Sequence, residues 1–260
     1  MALIQSVKAI QVLDSRGLPT VSCKITLDNG ITASSTVPSG ASTGTKEALE
    51  LRDGGDFYKG KGVEKAVNNI NTLINPLLEK LDPRDQQLID QKLIDLDGTK
   101  DKSNIGANAI LAVSLAVSHA AAKDNNVSLH EHFLEIYHNI TGQKVNPSLP
   151  MPMLNILNGG EHADNNIDIQ EFMIMPIGAA SFSEGVMWCS EIYQALKLEL
   201  NQKGLSTAVG DEGGFAPNLR SNKEALELIE RSVALAGYKF GDEIALSLDC
   251  AASEFFKEIG

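Results

Sequence analysis

The chain has 260 residues, 43% of them hydrophobic, and a formal net charge of −12 at pH 7. This composition is typical of a folded protein with one large domain or two ordinary ones, and not of a disordered chain. The acidic excess argues against charge-driven binding to nucleic acid, which needs clustered cations. It does not exclude an anionic small molecule, because a few local cations or a bound metal ion can reverse the field inside a cleft.

Cysteine usage and hydropathy indicate the compartment. Cys23, Cys189 and Cys250 are far apart and none forms a CxxC pair, so neither a disulfide framework nor a thiolate zinc site is expected. The N-terminus lacks the uninterrupted apolar region of a signal peptide. The most apolar stretch, 109–122, is interrupted by polar residues and is too short to span a bilayer. We therefore expect a cytoplasmic protein without a membrane segment.

The first half of the chain begins with a predicted β-hairpin. Apolar residues alternate with polar ones over 21–27, and the alternation resumes over 31–37, which is the period of a half-buried strand. Asp28-Asn29-Gly30 separates the two runs and is a typical turn sequence.

Helices are predicted after the hairpin. Apolar residues recur at spacings of three and four over 63–81, the period of an amphipathic helix. Asp82-Pro83 resembles an N-cap followed by proline in the first turn of a second helix. Two further helices are predicted near 104–122 and 128–138. Strands first and helices afterwards are typical of an α+β domain, to which we assign residues 1–140.

A second domain, 141–260, is predicted beyond a segment, 139–152, that is rich in proline and has no apolar periodicity. Short apolar runs alternate there with helical segments that begin with capping-box sequences. The predicted strands are 153–157, 169–174, 207–209 and 244–248, and the predicted helices are 181–203 and 221–236. This alternation predicts a parallel sheet, either doubly wound or closed into a barrel.

Polar clusters lie at the ends of the four predicted strands. They contain His162, Asp164, Gln170, Glu171, Asp211, Glu212 and Asp249. The carboxyl ends of parallel strands share one face, so these carboxylates are expected to converge. Convergent carboxylates repel each other unless a cation or a shared proton compensates, and a hard divalent ion such as Mg²⁺ is the natural expectation.

Each cluster also has a purely structural explanation. An acidic residue at a strand end can cap the next helix. His162 can be a hydrogen-bonded structural histidine, and Gly213-Gly214 can be a simple turn. Four such clusters at four successive strand ends together favour a site.

A loop in the first domain, 38–44, is a further candidate. Its two glycines and three hydroxyl residues suggest a mobile segment that closes over a ligand and offers oxygen atoms to a metal ion. A flexible loop without function is the alternative. The loop lacks the GxxxxGK[ST] spacing of a phosphate-binding P-loop.

Six sequence blocks resemble the enolase family. They are DSRG at 14–17 with PT at 19–20, VPSGASTG at 37–44, LNILNGG at 154–160 with HA at 162–163, DIQEF at 168–172, VGDEGGFAP at 209–217 and LDCAASEF at 248–255. The similarity extends in the same order from about residue 4 to the end of the chain. The resemblance implies an α+β N-terminal capping domain followed by the first half of an α/β, TIM-type, enolase-like barrel. About four barrel strands are expected, the first two of them antiparallel.

The resemblance also implies roles for the candidate residues. Glu212 is the acid that protonates the departing 3-hydroxyl, and Glu171 supports it and contacts the substrate. His162 lies on a mobile loop near the substrate phosphate, and Gln170 contacts the substrate. Asp249 is the first of three carboxylates on the tighter Mg²⁺, and Ser42 on the closing loop helps to bind the second Mg²⁺.

The implied activity is that of a carbon–oxygen lyase of glycolysis. It dehydrates 2-phosphoglycerate to phosphoenolpyruvate with Mg²⁺, and the full-length form is expected to be a homo-oligomer. The family's other carboxylate ligands, its catalytic lysine and its substrate-binding arginine, serine and second lysine lie on later strands. We therefore expect the 260 residues to belong to a longer enolase and to be inactive alone.

Other functional classes stay open at this stage. The first alternative is a truncated, inactive fragment with a binding or scaffold role, since enolases also occur at cell surfaces or are secreted. The second is a member of the wider superfamily that acts on another carboxylic acid. The 38–44 loop and the His162 block disfavour the second alternative, and no sequence feature indicates a nucleic-acid or membrane partner.

Overall fold

The structure is a computed structural model that describes residues 2–40 and 42–254. The described chain forms two compact units. The first lies within Met1–Ser39 and Lys46–Pro147, and the second lies within Gly40–Thr45 and Ser148–Gly260. The division after Pro147 falls inside the aperiodic 139–152 segment. The sequence did not predict that residues 40–45 group with the second unit.

An antiparallel three-stranded sheet forms one layer of the first unit. Its strands are β1 (Ile4–Leu13), β2 (Pro19–Leu27) and β3 (Thr32–Thr36), in the order β1-β2-β3. Val21, Cys23, Ile25 and Leu27 are fully buried, as the alternation requires. The predicted hairpin is thus confirmed. β1 was not predicted, because a register shift between Ile4 and Ser6 interrupts its alternation.

Helices form the second layer of the first unit. They are α1 (Glu64–Asn69), α2 (Asn75–Leu78), α3 (Gln86–Asp97), α4 (Ala107–Asp124) and α5 (Leu129–Thr141), with a π-helical turn at Ile70–Ile74 between α1 and α2. α4 packs against β2 and β3 with a face of small apolar side chains. The predicted start of α3 is wrong by one turn. Asp85 is the cap, since its side chain accepts a hydrogen bond from Leu88 N, whereas Asp82 caps the preceding turn.

The second unit contains a three-stranded sheet and two long helices. The strands are β4 (Leu154–Asn158), β5 (Glu171–Met175) and β6 (Ala245–Asp249), and the helices are α6 (Phe182–Gln202) and α7 (Asn222–Leu235). Ser181 and Ser221 cap the helices as predicted, each accepting a hydrogen bond from the backbone of a glutamate three residues later. Apolar side chains of both helices and of the sheet share one core.

The prediction of a parallel sheet is wrong for this unit. β5 is antiparallel to both of its neighbours, so β4 and β6 run in the same direction with a reversed strand between them. The prediction of a strand over 207–209, the third in chain order, is also wrong. Val209 makes a single isolated bridge to Phe215 and its side chain is exposed.

No helix in the described part of the chain has the length and apolar character needed to cross a membrane.

Candidate active site

The ends of the three strands of the second sheet bring two carboxylates to one edge. Glu171, the first residue of β5, pairs with Asn158 at the end of β4 and with Asp249 at the end of β6. Residues directly opposite each other in an antiparallel pair extend their side chains on the same face. The reversed direction of β5 places its amino end beside the carboxyl ends of its neighbours. Asn158, Glu171 and Asp249 therefore form one row.

The loop between β4 and β5 places His162 at this row. His162 ends a 3-10 turn, Gly160–His162. The loop is closed by hydrogen bonds from Gly159 N to Gln170 O (3.0 Å) and from Gly160 N to Ile167 O (2.7 Å). The His162 side chain is only 5% exposed, so its imidazole is held against the sheet edge.

A glycine-rich loop, 210–214, brings Glu212 to the same place. Asp211 N donates to His162 O (3.1 Å), and Gly210 N donates to Gly214 O (2.8 Å). A Cβ on Gly214 would lie 2.5 Å from Asn158 Oδ1 and 2.8 Å from Leu157 N. Only glycine allows the loop backbone to approach β4 so closely, which is why Glu212 reaches the row although no strand precedes it.

His162, Glu171 and Glu212 form the centre of the site. His162 Nδ1 lies 3.3 Å from Glu171 Oε1 and 3.5 Å from Glu212 Oε1. Neither contact has hydrogen-bond geometry, so the imidazole nitrogen lies between the carboxylates without a directed partner. Asn155 Nδ2 is 3.4 Å from Glu212 Oε2. The Glu171 side chain is nearly buried, whereas that of Glu212 is 45% exposed.

The environment favours the protonated form of Glu171. Burial is the largest of the effects that raise the pKa of Glu171 to about 7, and a hydrogen bond with Glu212 and the charges of Glu212 and Asp249 act in the same direction. Glu171 is therefore partly protonated near neutral pH. It can share its proton with Glu212, which reduces the repulsion between the two acids.

Gln170 and Asp249 form the other side of the site. Gln170 Nε2 lies 3.3 Å from Asp249 Oδ2, and Asp249 Oδ1 accepts a hydrogen bond from Ala251 N (3.0 Å). The Gln170 side chain is buried, and its Oε1 has no hydrogen-bond partner. A buried amide oxygen without a donor is costly, so Gln170 is positioned to accept a ligand group.

The donor atoms of this site suit a divalent cation. His162, Glu171 and Glu212 each offer a ligand atom, and these atoms lie within 4.8 Å of one another. Asn155 Oδ1 and Asn158 Oδ1 are buried without partners. Carboxylate and amide oxygens are the ligands that Mg²⁺ prefers, so the oxygen atoms of the site, those of Asp249 included, fit this ion, whereas the imidazole of His162 is a ligand for softer metals.

The structure brings together five of the six predicted site residues: His162, Gln170, Glu171, Glu212 and Asp249. Ser42 is half-buried, and within the described chain it has no hydrogen bond to the other five. Asn155 and Asn158 were not predicted as site residues. Both belong to the LNILNGG block, and polar side chains within an otherwise apolar strand were the available signal.

Two family models match the chain. Residues 4–133 match the family model described as "Enolase, N-terminal domain". Residues 146–259 match the one described as "Enolase, C-terminal TIM barrel domain", and this match includes every site residue from His162 to Asp249. The prediction of an enolase-like α+β domain followed by strands of a TIM-type barrel is confirmed. The chain belongs to the enolase family.

Proposed function

We propose that this chain supplies the acid side of an active site that dehydrates 2-phosphoglycerate to phosphoenolpyruvate, as part of a longer enolase. The observation that carries the proposal is the grouping of Glu171 and Glu212 around His162, whose Nδ1 lies 3.3 and 3.5 Å from their carboxylate oxygens; burial, with the neighbouring acids, raises the pKa of Glu171 to about 7. An acid that is still protonated at the operating pH is what the departure of a hydroxide requires.

The reaction assigns a separate task to each group. A base contributed by the rest of the longer enolase takes the C2 proton, and the electron pair of the C2–H bond moves into the carboxylate to give an enolate, which then forms the C2–C3 double bond. The C3–O bond breaks in turn, and the departing hydroxide takes the proton of Glu212 to become water. Glu171 returns a proton to Glu212 through their hydrogen bond. His162 and Gln170 bind the substrate, with the imidazole directed to its phosphate.

We assign Asp249 and Ser42 as Mg²⁺ ligands contributed by this chain. When bound, Mg²⁺ supplies positive charge that stabilises the doubly negative carboxylate of the enolate. Asp249 lies at the exposed end of β6, where a carboxylate oxygen is available to an ion.

In the described chain, no lysine makes a hydrogen bond or ion pair with the carboxylates, amides and imidazole that surround Glu212. With Glu171, Glu212 and His162 assigned to the acid and to substrate binding, we propose that the base for the C2 proton comes from the rest of the longer enolase. Loss of a general base typically costs a factor of about 10² to 10⁴ in rate. We therefore propose that the 260 residues alone are inactive, and that residues 1–140 act as a capping domain in a homo-oligomeric longer enzyme.

A single assay tests the activity. The absorbance of phosphoenolpyruvate is followed with and without Mg²⁺, for the 260-residue chain and for a polypeptide in which it continues into the rest of an enolase barrel. Turnover is expected only in the longer polypeptide and only with Mg²⁺. Glu212→Gln in that polypeptide is expected to reduce kcat by about 10² to 10⁴, whereas Glu230→Gln on the exposed face of α7 leaves it unchanged.

Two results would contradict the proposal. Turnover by the 260 residues alone refutes the absence of a base. Full activity of the Glu212→Gln variant refutes the role of Glu212 as the acid.

A further inference from the structure

We propose that Tyr193 on α6 is a positioning residue for Glu212, acting through the backbone of the 210–214 loop. The inference rests on the proposed role of Glu212 as the acid. Tyr193 does not touch the carboxylates. It holds the peptide that follows Glu212.

Tyr193 contacts the loop in two ways. Its hydroxyl donates a hydrogen bond to Gly213 O at 2.8 Å. Its ring stacks on Phe215, with the ring centroids 4.3 Å apart and an interplanar angle of 12°. Burial raises the pKa of Tyr193 above its usual value, so the hydroxyl stays a neutral donor over the range in which the carboxylates titrate.

Phe215 connects this contact to the sheet. Phe215 N donates to Ile156 O (3.0 Å), and Asn158 N donates to Phe215 O (2.9 Å). The far end of the loop is therefore fixed to β4. Tyr193 packs on this fixed side chain and from there reaches back to Gly213.

The loop needs an external support at Gly213. Glycine occupies positions 210, 213 and 214, and Gly213 has φ +86°. Glycine adopts this backbone conformation without steric strain, but its wide conformational freedom means that local sterics do not restrain the loop there. The Glu212 side chain is half-exposed, and its contacts to His162 and Asn155 are long, at 3.5 and 3.4 Å. The position of the carboxylate is thus set by the backbone on either side of it. Asp211 N is bonded to His162 O, and Gly213 O is bonded to Tyr193.

The test compares Tyr193→Phe with Tyr238→Phe in the 260-residue chain. Tyr238 also lies in the second unit, and its hydroxyl donates to Glu191 on α6, away from the loop. Amide hydrogen exchange of residues 211–215 is measured in both variants, and kcat and KM are measured for the same two substitutions in the longer polypeptide of the activity assay. Tyr193→Phe keeps the stacked ring and is expected to accelerate loop exchange about fivefold, the factor for one hydrogen bond of typical net strength.

Steady-state kinetics give a readout that a purely structural role would not change. A displaced Glu212 protonates the leaving group less efficiently, so in the longer polypeptide kcat is expected to fall in Tyr193→Phe while KM is unchanged, and neither changes in Tyr238→Phe. An unchanged exchange rate in Tyr193→Phe overturns the inference, as does faster exchange with an unchanged kcat. Full activity of Glu212→Gln refutes the role of Glu212 as the acid instead, and the exchange rates then decide alone whether Tyr193 holds the loop.

Discussion

Glu171 and Asp249 lie directly opposite each other on the adjacent antiparallel strands β5 and β6. The two acids end on the same face because β5 runs against both of its neighbours, which brings its amino end to their carboxyl ends. The charge of Asp249 and the nearer charge of Glu212 both oppose ionisation of Glu171. The protonation state of Glu171 consequently depends on both neighbouring acids.

Glu212→Gln is expected to lower the pKa of Glu171. The substitution removes a negative charge while it keeps the size of the side chain, so ionised Glu171 no longer meets a like charge in close contact. The pKa falls from about 7 but stays above the ordinary value, because burial is the largest cause and is unchanged. Carboxylate ¹³C NMR of the chain over pH 3–9 measures the shift.

Glu161→Gln is the control for this measurement. Glu161 is exposed on the loop that carries His162, and its removal changes the net charge equally. A fall of the Glu171 pKa of the same size in both variants would show that the effect is not specific to the pair.

The folded chain is expected to lose stability as pH rises from about 5 to 8. Glu171 has a pKa of about 7 in the folded chain against an ordinary value of 4.5, so the folded state binds more protons between these values. The stabilisation is complete below the unfolded pKa and disappears as the pH passes the folded one. The change is roughly 1–3 kcal/mol in the free energy of unfolding, measured by urea denaturation without divalent ions.

Glu171→Gln isolates this contribution. The amide cannot ionise, so the difference in unfolding free energy between pH 5 and pH 8 is expected to shrink by the amount that Glu171 contributes. An unchanged pH dependence in the variant would place the effect on other groups.

Three of the site residues were predictable because they are charged residues within or directly beside an apolar run. These residues are Glu171, Glu212 and Asp249. The direction of β5 was not predictable from the pattern, since alternation and burial are the same for a strand that runs either way. The enolase resemblance predicted that the first two barrel strands, β4 and β5, are antiparallel. Because β5 is the reversed strand, its pairing with β6 is antiparallel as well.

Other features depend on contacts that are distant in sequence. Residues 207–209 have the apolar character of a strand but pair only through Val209. The conformation of the loop around Ser42 is not determined by its glycine and serine content. Tyr193 is 20 residues from Gly213, and no local pattern distinguishes its hydroxyl from those of other helical tyrosines.

Gly214→Ala is expected to loosen the loop from β4. The new Cβ would overlap Asn158 Oδ1 and Leu157 N, both held in the strand, so the loop must move away at a cost of roughly 1–3 kcal/mol in unfolding free energy. Amide exchange of Asn158, which donates to Phe215 O, is expected to accelerate. Gly204→Ala is the control, since Gly204 has φ +69° with open space around it. Gly204→Ala is expected to lower the unfolding free energy without changing the amide exchange rate of Asn158. An unchanged Asn158 exchange rate in Gly214→Ala would refute the close approach of the loop to β4.

The 260 residues are expected to bind Mg²⁺ weakly and through Asp249. One strand-end carboxylate with a few amide oxygens offers less charge than the several carboxylates of a strong site, so a Kd of about 10⁻³ M is expected, at the weak end for protein cation sites. At about 10 mM Mg²⁺ this affinity adds roughly 1.4 kcal/mol to the unfolding free energy.

The Asp249→Asn variant is expected to lose this increment in unfolding free energy, whereas Asp242→Asn, in the exposed turn before β6, keeps it. Because Glu171 lies opposite Asp249 and adds a negative charge there when it ionises, the increment is larger at pH 8 than at pH 6. Stabilisation that persists in Asp249→Asn would assign the ion to His162, Glu171 and Glu212, whose ligand atoms already lie within reach of one another.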